Sequence, residues 1–406
     1  MAGPLSGYRV LELASTVSGP MASMMLADQG ADVIKIEPPL FGDKARYLGS
    51  MREGMGAMFA VLNRNKRSLV LDLKIDAERE AFLKLADTAD VLIENYRPGV
   101  VKSLGIDHET LAARNPALIY ASVSGYGQSG PYQNRRVYDP LIQATAGAAA
   151  AQGGDNPDNM RMVVFDKVTA LTAAQAITAA LLERAKTGRG RYLPISMLDS
   201  ALYNLWPDVM WSRTLLGDGV MHQGELADYF PTFRTKDGLI SMSLVADEAF
   251  EMFCIWRGSE MHLDERFSTL PARLANADEF KAAVNELLAD VATKEACDEL
   301  DTFGVPVARV NTLDDVHLDE QIVHTGALIE TEHPTIGAMR YPRPPVALAP
   351  EVFPERHAPF LGDHTREILE EIGVDSGLIQ SLEEREAANA VTMKAVLDAA
   401  MQQSTV

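Results

Sequence analysis

The sequence predicts an α/β fold: a large domain on a parallel sheet with helices on its faces, followed by a smaller α+β domain. Three observations carry this. Short apolar runs alternate with helix-forming segments from residue 8 to about residue 124, and parallel neighbours need such crossover helices between them. The first of these runs ends in a Gly-Pro break at Gly19 and Pro20. After about residue 205 the texture changes, with tryptophan and methionine in NLWPDVMWS and a hairpin signature beyond it.

The elements come in order along the chain. "YRVLELASTVSGPMASMMLADQGADVIKIEPP" reads as strand, turn, helix and strand, because VLEL and DVIKIE are short and apolar while MASMMLAD is helix-forming. SLVLDLK predicts a strand, AEREAFLKLADTA a helix, VLIEN a strand, HETLAARN a helix and LIYASVSGY a strand. Residues 160 to 190, "MRMVVFDKVTALTAAQAITAALLERAKTGRG", predict a long helix: small and apolar residues recur at Val168, Leu171, Ala174, Ile177 and Leu181, with Arg184 and Lys186 in the last turn and Gly188 as terminator. "YFPTFRTKDGLISMSL" predicts a β-hairpin turning at Asp237 and Gly238. Residues 245 to 302 read as mostly helical, FGVPVARV as a strand, "GAMRYPRPPVALAPEVFPERHAP" as a proline-rich connector, and REILEEIGV and LIQSLEEREAANAVTMKAVLDAA as helices. The domain boundaries are expected at 1–215 for the first part of the large domain, 216–335 for the small domain and 336–406 for the connector and the C-terminal segment.

Composition narrows the function. A chain of 406 residues with 47% hydrophobic content can bury a full core. No apolar run approaches the roughly 20 residues that cross a bilayer, and MAGPLSGYRVLEL lacks a secretory signal's basic and apolar regions, so a cytoplasmic protein with no membrane partner is expected. A formal charge of −20 argues against nucleic acid. Yet LNRNKRS gathers Arg64, Lys66 and Arg67, and Arg97, Lys102, Arg135 and Arg136 recur in loop-like segments, which suits a small anionic molecule. Cys254 and Cys297 form no CxxC pair and the eight histidines form no HExxH, so neither a disulfide framework nor a metal is expected. Glu37 mimics the ribose-binding acid of dinucleotide folds, but the first turn lacks GxGxxG and offers only Gly19, which argues against a nicotinamide cofactor.

Asp166 is a single acid at the mouth of an alanine-rich helix. As a helix cap its carboxylate would bond exposed N–H groups, meet the positive end of the helix dipole and stay ionised. An ionised carboxylate can also attack an activated acyl group such as a thioester. Position alone does not separate the two roles.

Several segments, in order, resemble the family III (CaiB/BaiF-type) CoA-transferases: "RVLELASTVSGPMASMMLADQGADVIKIEPP", "LNRNKRSLVLDLK", "VLIENYRPGVVKSLGI", "LIYASVSGYGQSGPY", "ALLERAKTGRGRYLPISMLDSAL" and "APFLGDHTREILEEIG". The resemblance implies a Rossmann-like large domain that takes both chain ends, so that the C-terminal segment returns to it, and an interlocked homodimer. It implies that Asp166 attacks a CoA thioester and passes through anhydride and aspartyl-CoA stages, moving CoA from an acyl-CoA to a carboxylic acid, with CoA as co-substrate and no permanently bound cofactor. It places Arg136, Tyr138 and Asp139 of RRVYDP at the site, and Leu71, Asp72 and Lys74 of LVLDLK and Glu94, Asn95, Tyr96 and Arg97 of ENYRP around CoA. Arg64, Lys66 and Arg67 would supply cations to its phosphates, with Lys102 and Arg136 also among the CoA-binding residues. Gly224 of MHQGELADY stands in for the glycine-rich loop that donates to the oxyanion in some members. Related α-methylacyl-CoA racemases carry histidine where Tyr138 stands, and tyrosine, with a free pKa of about 10, is poorly matched to removing an α-proton. A racemase is therefore the alternative, as is CoA transfer between two carboxyls of one molecule. Val17 and Pro38 depart from the formyl-CoA transferase branch, which points to a dicarboxylate or another medium-sized acid.

Overall fold

The computed structural model describes residues 3–153, 156–221, 224–346 and 356–404. The chain divides into two compact units, Met1–Asn204 with Leu328–Val406, and Leu205–Ala327.

In the large unit β1 (Arg9–Leu13), α1 (Ser18–Ala27) and β2 (Asp32–Glu37) form the first βαβ step. A small hairpin, β3 (Met51–Arg52) and β4 (Met55–Gly56), and α2 (Ala57–Leu62) lead into β5 (Lys66–Val70). Then come α3 (Asp76–Ala86), β6 (Val91–Glu94), α4 (Val100–Ser103), α5 (His108–Arg114) and β7 (Ile119–Ser124). After them lie α6 (Asp139–Ala146), α7 (Val164–Thr187), β8 (Tyr192–Ser196) and α8 (Met197–Val209), whose residues from Leu205 onward belong to the second unit. Six strands make one parallel sheet in the order β5-β2-β1-β6-β7-β8. The order reverses direction at β1 and β6, and in doubly wound sheets ligands bind at such a switch point, beyond the carboxyl ends of the strands.

The sheet is buried on both faces. One face packs Leu11, Ile34, Leu69 and Leu92 against Phe82 and Leu85 of α3; the other packs Val10, Val33, Val91 and Ile119 against Leu26 of α1 and Ala173 and Ile177 of α7. Small residues along α7 explain its alanine content, since they let the helix lie close to the strands.

In the small unit, α9 (Trp211–Thr214), β9 (Thr232–Arg234) and β10 (Leu239–Met242) precede α10 (Asp247–Arg257), α11 (Leu270–Ala275), α12 (Ala277–Leu288), α13 (Thr293–Thr302), β11 (Val307–Arg309) and α14 (Glu320–Thr325). β9 and β10 are antiparallel, turning between Arg234 and Leu239 as the Asp-Gly pair predicts. Phe233, Ile240, Phe250, Phe253 and Phe280 are buried together as the unit's own core.

The chain returns to the large unit through an antiparallel pair, β12 (Leu328–His333) and β13 (Gly337–Pro342), then α15 (Thr365–Glu371) and α16 (Ser376–Ser404). Three expectations change here. The units divide at 204/205 and 327/328 instead of 215 and 335, because Ile336 joins a core with Ala45, Met55 and Phe59, and Arg52 Nη1 donates to the Ile336 carbonyl at 2.7 Å. The first six residues of the expected connector are the strand β13, and its residues 347 to 355 lie outside the described residues. LDLK does not extend β5, which ends at Val70.

Candidate active site

Asp166 stands in the first turn of α7, two residues inside its start at Val164. It is not the cap. Val163 precedes the helix without a side-chain bond, and the Asp166 N–H is instead capped by Asp139 Oδ2 at 2.8 Å. Asp139 is almost fully buried at the first position of α6. Its Oδ1 accepts from Gln143 Nε2 at 2.5 Å, and Gln143 in turn takes the Met160 N–H at 2.8 Å and donates to the Met162 carbonyl at 2.9 Å. One turn of α6 thus fixes the strand of chain that enters α7 and frees the Asp166 carboxylate to face outward.

Burial and then the neighbouring Asp139 charge push the Asp166 carboxyl up to about 6, against the favourable pull of the Ser18 hydroxyl and backbone N–H. The group stays an anion at neutral pH, as expected, but through a raised carboxyl that makes it more basic and more nucleophilic.

Asp166 opens on a cleft of about 540 Å³ formed by the loops after β1, β6 and β7 and by the segment before α6, including Thr16, Ser18, Asn95, Tyr96 and Tyr138. Lys44, Arg97, Arg135 and Arg136 line the same cleft, all four exposed. Arg135 lies over the Tyr132 ring at 3.6 Å. A side chain at Gly125 would sit 2.1 Å from Val137 Cγ1, so only glycine lets the 135–138 segment close against the end of β7. Four cations around one basic carboxylate suit a polyanionic ligand bearing an electrophilic acyl group.

A smaller cavity of about 260 Å³ shares Tyr96, Arg97 and Pro98 with the cleft and is also lined by Glu94, Lys102, Ser122 and Tyr192. Glu94 is buried, bonds Ser122 Oγ and accepts the Tyr96 N–H at 2.8 Å. Burial pushes its carboxyl up to about 7.

The model of CoA-transferase family III matches residues 5–365. The chain belongs to CoA-transferase family III. The succinyl-CoA:glutarate CoA-transferase of Mus musculus is 33% identical over 391 residues, 93% of this chain and 89% of that protein. The acetyl-CoA:oxalate CoA-transferase of Acetobacter aceti is 36% identical over 313 residues, 75% of this chain and 80% of that one. A CAIB/BAIF family protein from Brucella suis superposes with a TM-score of 0.80 at 31% identity, covering 92% of this chain and all of that one. The protein is thus an enzyme, a CoA-transferase acting on CoA thioesters.

The transferase brings Asp166, Tyr138, Asn95, Tyr96, Arg97 and Arg136 to one cleft, with Asp139 directly behind Asp166. Glu94 and Lys102 fall to the adjoining cavity. Leu71 is buried, Lys74 is exposed and Asp72 accepts the Lys74 N–H at 3.1 Å, all just beyond β5 at the edge of the sheet. Gly224 belongs to the small unit, where its carbonyl accepts from Trp211 Nε1 at 2.9 Å; its neighbours His222 and Gln223 lie outside the described residues.

The basic run is the main correction in the transferase. Lys66 is fully buried, its three donors on Glu12 at 2.7 Å, the Pro20 carbonyl at 2.8 Å and Asn63 at 2.8 Å. Arg64 is buried against Asp28 at 2.6 Å, and Arg67 is held by Asp32 and Glu371 at 2.6 Å each. All three Lys66 donors are thus taken, Arg64 is paired with Asp28, and neither residue lines the cleft of Asp166. Sequence reasoning missed Lys44, Ser18 and Gln143. The position of Ser18, in the turn after the first strand of a doubly wound sheet, is the signal that could have found it.

Among the described residues no helix is long and apolar enough to cross a membrane.

Proposed function

We propose that the protein moves CoA from an acyl-CoA to a free dicarboxylic acid, with Asp166 as the covalent relay. The observation that carries this is the basic, half-buried Asp166 carboxylate facing a cleft ringed by Lys44, Arg97, Arg135 and Arg136. The relatives named for succinate, glutarate and oxalate support the choice of acid.

Asp166 attacks the thioester carbonyl and expels CoA thiolate, leaving a mixed anhydride. The thiolate then attacks the aspartyl carbonyl, releasing the first carboxylate and forming aspartyl-CoA. The acceptor carboxylate attacks that thioester and expels the thiolate a second time. Thiolate attack on the acceptor's side of the new anhydride yields the product thioester and restores Asp166. The net reaction exchanges one CoA thioester for another of similar energy, so no external energy source is required. The cations of the cleft hold the phosphates and the distal carboxylate, and Tyr138 lines the cleft together with Asp166.

A cytoplasmic homodimer belongs to the same reading. An apolar groove of about 1270 Å³ on the large unit, between Met21 and Met25 of α1 and Leu171 and Leu182 of α7, supports it, because Leu171 and Leu182 are 56% and 63% exposed. The mass in solution by light scattering tests it, and a monomer would rule it out.

The decisive experiment incubates the enzyme with succinyl-CoA and a panel of dicarboxylates. Transfer without deuterium uptake at the α-carbon is expected, and uptake with loss of stereochemistry would select a racemase instead. Asp166→Ala should abolish transfer while CoA binding persists, and hydroxylamine added during turnover should label Asp166 alone.

A further inference from the structure

The loop between β1 and α1 separates a buried ion network from the nucleophile. On the network side, Asp43 is buried and its two oxygens accept the Thr16 N–H at 2.9 and 3.2 Å. Asp43 also takes the Ala45 N–H at 2.9 Å and lies 2.8 Å from Lys35 Nζ, itself fixed by Glu12 at 2.5 Å. On the opposite side Asn95 accepts the Ser15 N–H at 2.9 Å, donates to the Ser15 carbonyl at 2.8 Å and reaches Ser18 Oγ at 3.5 Å. Between these two clamps Thr16 holds φ at 72°. A β-branched residue keeps that left-handed conformation only when its surroundings enforce it. The turn so formed delivers the Ser18 hydroxyl and N–H to the Asp166 carboxylate, and Thr16, Ser18 and Asp166 line one cleft.

We propose that Asp43 is a positioning residue for the nucleophile: by gripping the Thr16 N–H it keeps the two Ser18 donors on the Asp166 carboxylate. The proposal rests on Asp166 being the attacking group. Asp43 touches no substrate and acts only through the loop. Donors on a carboxylate favour its charged form, so their loss moves Asp166 further towards the neutral acid. The other groups facing Asp166 are Asp139 from α6, the cations Lys44, Arg97, Arg135 and Arg136 from the loops, and the phenols of Tyr96, Tyr126 and Tyr138. Lys167, on the same helix, lines the apolar groove instead. Because Lys44 is next to Asp43 in the chain, the test must separate the loop from that cation.

The test measures kcat/KM for CoA transfer from succinyl-CoA to glutarate between pH about 5 and 9, where the acid limb reports the free enzyme's essential carboxylate. Ser18→Ala should raise the limb by about one pH unit, an about tenfold loss on the acid side that shrinks as pH rises. Asp43→Ala, which leaves the Thr16 N–H without its side-chain acceptor, should move it the same way, and the double variant should move it no further than Asp43→Ala alone. A limb that stays in place in Asp43→Ala, or shifts that add in the double variant as action through Lys44 requires, would overturn the proposal. Should Asp43→Ala fail to fold, an unmoved limb in Ser18→Ala overturns it equally. Asp166→Ala keeps the two ideas apart: if that variant still transfers CoA the nucleophile is wrong, whereas a silent Asp166→Ala with an unmoved limb in the others removes only the role of Asp43.

Discussion

At the scale of single residues, the site depends on two acids, Asp139 and Asp166, held in a fixed order. Asp139 caps the helix that carries Asp166, and its charge is the second cause, after burial, of the raised Asp166 carboxyl. Asp139→Asn keeps an oxygen for the Asp166 N–H but removes the charge, so Asp166 should fall part of the way back towards the ordinary carboxylate range. The acid limb of kcat/KM should then move below about 6, opposite in sign to the Ser18→Ala shift. A limb that moves upward would mean that Asp139 acts mainly as a geometric support. Glu94 gives a second prediction. Its folded-state carboxyl is pushed up to about 7 by burial, so the stability it contributes is present when the group is protonated and is lost as pH rises through that value. Glu94→Gln is neutral at every pH, and its melting temperature relative to the parent should improve by a few degrees, about 3 or so, between pH about 5 and 8. Parallel melting curves across that range would show that Glu94 does not titrate there.

At the scale of elements, strands β1, β2 and β5 are tied by charges buried inside the sheet layer. Glu12 serves two ammonium groups, Lys35 and Lys66, and burial lowers Lys66 to about 8 despite that carboxylate. Removing the shared partner leaves buried Lys66 with no carboxylate and Lys35 with Asp43 alone, so Glu12→Gln should cost about 3 to 5 kcal/mol in denaturant unfolding. Lys66→Met, which replaces one cation with an apolar chain of similar length, should cost distinctly less, and equal losses would contradict the sharing. The same network shows what the sequence could and could not convey. Strand and helix alternation was legible because it is local, and so was Asp166 as a lone acid on an apolar helix. The basic run 64–67 was misread because its partners are remote: Lys66 meets Glu12 across 54 positions and Arg64 meets Asp28 across 36. The cap on α7 was hidden for the same reason, its acceptor Asp139 lying 27 positions upstream.

At the scale of the whole molecule, the C-terminal return is part of the large unit's core and not an appendage. Ile368 and Leu369 of α15 and Ile379 and Leu382 of α16 are buried with the Leu69, Phe82 and Leu85 face of the sheet. Ion pairs fix the outer edge of this layer: Arg67 to Glu367 and Glu371, Arg9 to Glu371 and Arg385 to Glu78. Apolar burial should dominate, because the carboxylates of Glu367 and Glu371 are 55% and 35% exposed and such pairs contribute little individually. Leu369→Ala, leaving a cavity in a site with no exposure, should therefore lower unfolding free energy by about 2 to 5 kcal/mol, against about 1 kcal/mol or less for Glu367→Gln. Because α15 lies on the face of the sheet away from α7, kcat well below the melting temperature should be unchanged in both. A larger effect from Glu367→Gln would mean that charge, and not the apolar seam, holds the chain's end to the sheet.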